Sequence, residues 1–315
     1  MIKLFNVPSH CINTSSFKSV LHGGVVSDFE DQIKNYVGAK YACAINSASS
    51  AIFLSLIKDA GVVKVPSIIP PVVLNSIILS GNSIEFTDNT DWVGHSYNLH
   101  TIGDYSIIDS AQKLERDQFK KEANPQDLMI FSFYPTKPVS SCDGGMVVSN
   151  DEEKINWFRT AVMNGTSPGQ DSWTRTPEFP GWKMYMNSLQ ASIAIRNFKN
   201  LNNKYDSLLR IQGKYNNAFG LKNNSLHLYR IKVPCNITAQ KDLLKLGVQC
   251  GIHYTAAHEC KIYHESSESS AQSSSNAKLI NSSYHSKQCL SLPFHENLNC
   301  RDVDLVIRHV KKIII

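Results

Sequence analysis

Short apolar runs alternate with amphipathic segments along the first half of the chain. The apolar runs predict strands at residues 41–46, 62–65, 83–86, 105–108, 128–133 and 145–149. The intervening segments predict helices at residues 27–36, 51–58, 71–79 and 152–163. Strands that alternate with helices are typical of an α/β sheet, so the pattern favours this class over a helical bundle or a β-sandwich.

The rest of the chain has a different pattern. Residues 188–219 are helix-like and are predicted to carry the chain from a larger lobe to a smaller one. The smaller lobe is predicted to contain strands at 226–233 and near 251–254, and helices at 239–246 and 302–312. A serine-rich run at 266–275 is typical of a mobile surface loop. We therefore expect two domains, residues 1–200 and residues 201–315.

Polar residues typical of helix N-termini occur at two of the predicted helix starts. Ser27 and Glu30 have the spacing of a capping box, and Gly38 is placed to end that helix. The run Ser47-Ala48-Ser49-Ser50 follows a predicted strand and precedes a helix. Backbone N–H groups and the positive dipole end at such a helix start can bind a phosphate. An ordinary serine N-cap is the alternative interpretation of this run.

Composition narrows the class of protein. The chain has 315 residues, 42% of them hydrophobic, which is ample for a globular core. Its net charge of +5 comes from 32 basic and 27 acidic residues without a long basic run, so we expect no nucleic-acid partner. The eight cysteines form no C-x-x-C pair, and no apolar run has membrane-spanning length. We therefore expect a reduced, cytoplasmic protein without a structural zinc site or a membrane partner.

A lysine lies in a polar turn between two strand-like runs. Lys137 follows the apolar run 128–133 and precedes the run 145–149, and upstream the run 105–108 ends in Asp109. A lysine amine can form a Schiff base with a bound aldehyde, and a buried carboxylate can keep a pyridine nitrogen protonated. These are the two groups that a pyridoxal phosphate (PLP) enzyme requires. An exposed loop lysine and a strand-end aspartate are the alternatives.

Motifs along nearly the whole chain match one enzyme family. In chain order they are Gly23 to Glu30, Ser47-Ala48-Ser49, Asp109-Ser110-Ala111-Gln112, Ser132-Phe133-Tyr134-Pro135-Thr136-Lys137, Asp143-Gly144-Gly145, Gly181 to Met186 with Leu189-Gln190-Ala191, and the tail set His253-Tyr254, His258, Tyr263 and Leu290-Ser291-Leu292-Pro293. In this order and spacing the chain resembles the DegT/StrS-type sugar aminotransferases. The resemblance implies a fold-type-I PLP enzyme that aminates nucleotide-linked keto-sugars.

The resemblance also implies a role for each matching residue. Lys137 would bind the cofactor covalently and then move a proton, and Asp109 would pair with the ring nitrogen. Gln112 would bond the ring's phenolic oxygen. The remaining implied roles are phosphate binding (Ala48, Ser49, Ser132), a phosphate contact across a dimer interface (Lys183) and contact with the sugar nucleotide (Gly23, Tyr134, His253). Glutamate is the implied amino donor, and a homodimer is the implied assembly.

The chain departs from the family pattern in the large lobe. About sixty residues separate the phosphate loop from Asp109, where the family has about a hundred, so one βα unit is expected to be lost or reduced. In the run 66–70, Pro70 stands where the family has an aromatic that stacks on the pyridine ring. These departures keep two alternatives open: a non-catalytic homologue with a binding or regulatory role, and a PLP-dependent sugar dehydratase. Retention of Lys137 argues against the dehydratase, since the family's dehydratases carry histidine there.

Overall fold

The structure of the protein is a computed structural model that describes residues 1–8, 12, 19–21, 23–59, 61–167, 175–264 and 279–314. The serine-rich segment 266–275, interpreted above as a surface loop, lies outside the described residues. Among the helices of the described part, none is long and apolar enough to cross a membrane.

Strands and helices alternate through the first half of the chain, as predicted. In the described part the strands are β1 (Tyr41–Ile45), β2 (Val62–Pro66), β3 (Ser83–Thr87), β4 (Tyr97–Ile102), β5 (Tyr105–Asp109), β6 (Leu128–Ser132), β7 (Gly145–Ser149), β8 (Tyr229–Lys232) and β9 (Cys289–Leu292). The helices there are α1 (Gly24–Val37), α2 (Ala48–Leu56), α3 (Pro71–Leu79), α4 (Gln118–Glu122), α5 (Glu152–Val162), α6 (Ser188–Lys199), α7 (Leu201–Phe219), α8 (Asn236–Lys245), α9 (Lys261–His264), α10 (Ile280–Gln288) and α11 (Cys300–Ile314).

A five-stranded sheet with the order β1-β7-β6-β5-β4 forms the centre of the large lobe. Strands β5 and β6 are parallel, β1 runs in the same direction, and β7 and β4 run the opposite way. Strands β2 and β3 form a separate parallel pair, and β8 and β9 form an antiparallel pair in the small lobe. The predicted α/β class is thus confirmed. Because β1, β5 and β6 share one direction, their carboxyl ends meet at one edge of the sheet.

Alternate residues along the central strands face two separate hydrophobic cores. Ile107 and Ile130 belong to the core that also contains α2 and α3, while Ile108 and Met129 face the core on the α1 side. All four side chains are buried, so these strands are covered on both faces. This double cover holds the sheet edge, and whatever projects from it, in a fixed position.

A third core lies in the small lobe and extends from Leu208 in α7 to Val310 in α11. The chain's first residues join this lobe: Ile2 donates its N–H to Gly247 O at 2.7 Å and accepts from Gln249 N at 2.9 Å. The division at residues 200 and 201 stays a prediction. The separate third core is consistent with this division, although the N-terminal residues of the first domain contact the second.

The predicted capping box is wrong. Helix α1 begins at Gly24 with Gly23 as its N-cap, so Ser27 lies inside the helix. The buried Glu30 carboxylate accepts the Ala44 N–H at 2.7 Å and pairs with Arg159 at 2.6 Å. Glu30 therefore ties α1 to β1 and α5, because a buried carboxylate is stable only where cations and N–H donors surround it.

Candidate active site

Lys137 lies in the turn that follows β6. Its N–H donates to Tyr134 O at 2.9 Å, and Phe133 N–H donates to Gly144 O at 2.8 Å across the base of the turn. The side chain is partly buried. Burial disfavours the ammonium form and lowers the pKa of Lys137 to about 8, although the Asp109 carboxylate acts in the opposite direction. Near neutral pH a larger fraction of Lys137 is therefore a neutral, nucleophilic amine than of an ordinary lysine.

Asp109 is the last residue of β5 and is buried. Its Oδ1 accepts the Ala111 N–H at 2.9 Å, and its Oδ2 accepts the Tyr97 hydroxyl at 2.9 Å. Burial raises the pKa of Asp109, whereas these two donors and the charge of Lys137 lower it. Since β5 and β6 are adjacent and parallel, Asp109 and Lys137 lie at the same sheet edge and influence each other electrostatically.

The predicted phosphate seat lies at the carboxyl end of β1. Helix α2 begins at Ala48, three residues earlier than predicted, and the N-cap Ser47 accepts the Ser50 N–H through its Oγ at 3.1 Å. The N–H groups of Ala48 and Ser49 lie in the first turn, where a helix supplies no carbonyl partner of its own. This arrangement satisfies both interpretations of the serine run, since Ser47 caps the helix while the next two N–H groups can bind an anion.

Strand β7 brings Ser132 close to this helix start. Gly145 pairs with Ile45 on one side and with Ser132 on the other. A Cβ atom at Gly145 would lie 2.4 Å from Ser47 C and 2.5 Å from Ala48 N. The missing side chain therefore lets the start of α2 approach the sheet beside Gly145, the partner of Ser132. This arrangement is consistent with the predicted phosphate seat of Ala48, Ser49 and Ser132.

Replacing Gly145 with alanine is expected to push the start of α2 away from β7. The contacts are with backbone atoms, which cannot move aside as a flexible side chain can, so we expect destabilisation of about 1–3 kcal/mol. Affinity for inorganic phosphate or PLP should fall as well. Gly213→Ala is the matched control, because a Cβ there meets nothing within 4 Å and lies inside α7. Thermal unfolding and a PLP titration of both variants would measure these effects. Equal behaviour of the two variants would contradict the packing argument.

The lowered pKa of Lys137 predicts the pH dependence of cofactor capture. The neutral amine is the reactive form, and it is gained as pH rises through about 8 instead of through the ordinary value of 10.5. The rate at which the apo protein forms its visible PLP band should therefore rise with a midpoint near pH 8. Stopped-flow absorbance would measure it. A midpoint at the ordinary lysine value would show that Lys137 is not desolvated.

Gln112 and His253 also lie near the two central residues. Gln112 is buried; its Oε1 accepts the Gly94 N–H at 2.8 Å and its Nε2 donates to the Tyr254 hydroxyl at 3.1 Å. His253 Nδ1 lies 2.9 Å from Ser291 Oγ. Burial, followed by the charges of Lys137 and Arg230, lowers the pKa of His253 to about 4. His253 is therefore a neutral imidazole, close enough to Lys137 for the lysine charge to lower its pKa.

Three predicted residues lie toward the surface. Lys183 is exposed, on a segment whose Met184 carbonyl accepts the Asn46 N–H at 2.7 Å, directly before the phosphate seat. Tyr134 is 53% exposed and lies in the turn that contains Lys137. Gly23 is the N-cap of α1. Their contacts with a partner subunit or a substrate stay predictions.

Sequence reasoning missed four residues of this region. Trp92 is buried and donates its Nε1–H to Ile68 O at 2.9 Å, beside the run in which the family's aromatic is absent. Tyr97 bonds Asp109. Arg230 bonds Val93 O, and His227 lies close enough to Lys137 to be affected by its charge. Tyr97 lies in β4, a short strand without a clear apolar run in the sequence. Its role becomes visible only from its position opposite Asp109 in the structure.

The donor set of this edge fits PLP. PLP has an aldehyde, a ring nitrogen and a phosphate, and each needs a matching group from the protein. This edge offers a desolvated lysine amine for the aldehyde and a buried carboxylate for the ring nitrogen. The start of α2 offers two backbone N–H groups for the phosphate. The close approach at Gly145 holds the backbone of the predicted phosphate seat against β7. An α/β fold with this site defines a PLP-dependent enzyme.

Comparison with known proteins identifies the family. The family model described as the DegT/DnrJ/EryC1/StrS aminotransferase family matches residues 10–88 and 100–311, and the chain belongs to that family. The protein is therefore an aminotransferase with PLP as its cofactor. The match breaks between residues 88 and 100, inside the region expected to be shortened, and this break contains both Trp92 and Tyr97.

Curated relatives and solved structures agree with this family. A UDP-4-amino-4,6-dideoxy-N-acetyl-β-L-altrosamine transaminase of Campylobacter jejuni is 25% identical over 344 residues, covering 91% of this chain and 89% of the relative. The spore coat polysaccharide biosynthesis protein SpsC of Bacillus subtilis is 27% identical, covering 93% and 90%. The aminotransferase TlmJ from Streptoalloteichus hindustanus has a TM-score of 0.80 at 18% identity, covering 99% and 98% of the two chains. This structural match confirms the predicted aminotransferase fold.

Proposed function

We propose that the protein transfers the amino group of glutamate to the keto carbon of a nucleotide-linked deoxysugar, in the biosynthesis of amino sugars for polysaccharides. The observation that carries this proposal is the placement of Lys137 and Asp109 at one sheet edge in a chain of this family. The names of the C. jejuni and B. subtilis relatives support the sugar substrate and the polysaccharide pathway.

The chain's own residues have distinct tasks in this reaction. PLP, when bound, acts as an electron sink and carries the amino group between the two half-reactions. Lys137 is the base that moves the proton at the reacting carbon, since its lowered pKa of about 8 makes the neutral amine far more accessible near physiological pH than in an ordinary lysine. The ionised Asp109 holds a positive charge on the ring nitrogen. The start of α2 with Ser132 anchors the phosphate, which fixes the ring relative to Lys137.

Two cationic side chains near the candidate site, Arg230 and Lys204, favour anionic substrates. Arg230 lies in β8, bonds Val93 O at 3.1 Å and His285 Nε2 at 3.3 Å, and is included in none of the ion pairs between described residues. Lys204 donates to Lys137 O at 3.2 Å. We infer that Arg230 binds a carboxylate of glutamate, and that Gly23, Tyr134 and His253 contact the sugar nucleotide. A guanidinium without a carboxylate partner is suited to bidentate binding of a carboxylate.

The dimer proposal makes Lys183 a residue of the neighbouring site. Its side chain is exposed, while its backbone segment is fixed beside the phosphate seat. If each site uses Lys137 from one subunit and Lys183 from the other, two inactive variants can complement each other. Mixing Lys137→Ala with Lys183→Ala subunits should then restore activity, up to a quarter of the wild-type value if mixing is random. No recovery after verified subunit exchange would show that one subunit supplies both lysines of a site, and would contradict the cross-subunit role of Lys183.

We further propose a reduced, cytoplasmic location and the division into domains 1–200 and 201–315. The seven cysteines of the described residues are all free thiols, which supports a reducing compartment. The separate third core supports the domain division.

The proposed reaction can be tested by isotope transfer. The PLP-loaded protein would be incubated with ¹⁵N-glutamate and a panel of nucleotide-linked 4-keto-6-deoxysugars, and the nucleotide sugars would be analysed by mass spectrometry. We expect ¹⁵N in one nucleotide sugar and a matching amount of 2-oxoglutarate. Formation of 2-oxoglutarate without ¹⁵N in any sugar would contradict the proposal that a nucleotide-linked keto-sugar is the amino acceptor. Loss of a sugar hydroxyl as water, without ¹⁵N transfer, would favour the dehydratase alternative.

A further inference from the structure

The segment from Trp92 to Tyr97 contacts both residues that were expected to bind the cofactor ring. Tyr97 pairs directly with Asp109 across the β4–β5 hairpin, and its hydroxyl donates to Asp109 Oδ2 at 2.9 Å. Gly94 donates its N–H to Gln112 Oε1 at 2.8 Å. One short segment thus fixes the orientation of two side chains that are three residues apart in the sequence.

The Tyr97 ring has little freedom to leave Asp109. Its centroid lies 4.5 Å from that of Trp92, which in turn stacks on Tyr254 at 6.3 Å with an interplanar angle of 8°. Trp92 itself is buried and held by its hydrogen bond to Ile68 O. Aromatic packing of this kind restricts the ring, so the hydroxyl has a preset direction toward the carboxylate.

Asp109 needs such donors because it is buried. An ionised carboxylate away from water is stable only when hydrogen-bond donors and positive charges compensate its desolvation. The compensating groups in the structure are the Ala111 N–H, the Tyr97 hydroxyl and the charge of Lys137. Each carboxylate oxygen has two acceptor sites, so Oδ1 and Oδ2 can accept these bonds and still bind a protonated ring nitrogen.

We propose that Tyr97, in a segment outside the family pattern, is a positioning residue that keeps Asp109 ionised and oriented toward the nitrogen of the PLP ring. The segment lies within residues 89–99, which the family match omits. The inference rests on PLP being the cofactor.

The test compares Tyr97→Phe with Tyr105→Phe. Tyr105 lies in the same hairpin but at its opposite end, paired with Ile102, so the control removes a hydroxyl without touching Asp109. Three readouts are used: the PLP dissociation constant of the apo protein, the pH midpoint of the bound cofactor's absorbance band, and the separate values of kcat and KM. For Tyr97→Phe we expect PLP binding about tenfold weaker, as for a lost hydrogen bond to a charged group. We also expect a shifted spectral midpoint and a reduced kcat with KM for the acceptor unchanged.

The groups that face Asp109 are Tyr97 from β4, Lys137 from the turn after β6 and Tyr254 from the small lobe. The PLP dissociation constant and the spectral midpoint are therefore also measured in an Asp109→Asn background. If Tyr97 acts through the Asp109 charge, Tyr97→Phe should add almost nothing there. If Tyr97→Phe still weakens PLP binding tenfold in the Asp109→Asn background, the role of Tyr97 is purely structural and the inference is overturned.

Wild-type affinity and an unshifted midpoint in Tyr97→Phe would overturn it equally. Both results differ from failure of the cofactor assignment itself, in which the wild-type protein would not bind PLP at all. Thermal unfolding of each apo variant shows whether it folds. If Tyr97→Phe does not fold, Trp92→Phe is used in its place, because it loosens the packing around Tyr97 but leaves the Tyr97 hydroxyl intact. A smaller change of the same sign in all three readouts is then expected, and no change would contradict the proposal.

Discussion

Replacing Lys137 with alanine will abolish covalent capture of PLP and the transfer of the amino group from glutamate. Lys137 supplies the desolvated amine of the site, with a pKa of about 8, and it is placed opposite Asp109 at the sheet edge. Loss of the base that moves the proton should reduce turnover by at least about 10²–10⁴-fold. Borohydride reduction of the PLP-loaded wild type, followed by peptide mapping, should place the cofactor on Lys137.

Lys241→Ala is the control for this experiment, because Lys241 is an exposed residue of α8, remote from the sheet edge. It should retain the visible band and the reduction product. If Lys137→Ala keeps a covalent band, or if reduction labels another lysine, the assignment of Lys137 is wrong. Lys204 is then the next residue to test, since it is partly buried and bonds the Lys137 carbonyl.

Replacing Asp109 with asparagine will leave a cofactor that binds but reacts slowly. Asparagine preserves the size of the side chain while removing the charge that stabilises a protonated ring nitrogen. We expect kcat to fall by about 10²–10³-fold, the loss typical of removing one preorganised electrostatic group from an active site. Apparent PLP affinity should fall by a smaller factor, because the phosphate seat and Lys137 remain. Absorbance titration and single-turnover kinetics with glutamate would separate the two effects.

Asp127→Asn is a matched control for the loss of a buried carboxylate. Asp127 is as buried as Asp109, and its two oxygens accept the Ser106 and Asn124 N–H groups at 2.7 Å each. It should lower stability without changing the rate with glutamate. If Asp109→Asn reacts at the wild-type rate, Asp109 does not control the ring nitrogen and the mechanism argued above fails.

Local sequence signals predicted most of the large lobe. Strand β7 and helix α3 have the predicted bounds, because each is a compact apolar run with clear turn residues or a proline at its ends. Strands β4 and β9 were missed. β4 is a mixed polar strand at the edge of the sheet, and β9 is a four-residue run directly after a helix. Neither has a periodic pattern long enough to be recognised from the sequence.

The same distinction applies to the site. Lys137, Asp109 and the serine run were predicted because each sits at the end of an apolar strand, where the local pattern marks it. Tyr97 and Arg230 were missed because their importance comes from contacts across separate elements, which one sequence does not reveal. Glu30 shows the opposite error: a locally convincing capping signal was overridden by a tertiary ion pair with Arg159.

Amino transfer through PLP at this sheet edge can be tested directly. The most direct measurement is the absorbance spectrum of the PLP-loaded wild-type protein before and after addition of glutamate, with 2-oxoglutarate quantified in the same sample. We expect a yellow band that is lost on adding glutamate, with one 2-oxoglutarate formed per site. A protein that shows no band at saturating PLP, or whose band glutamate leaves unchanged, would contradict this expectation.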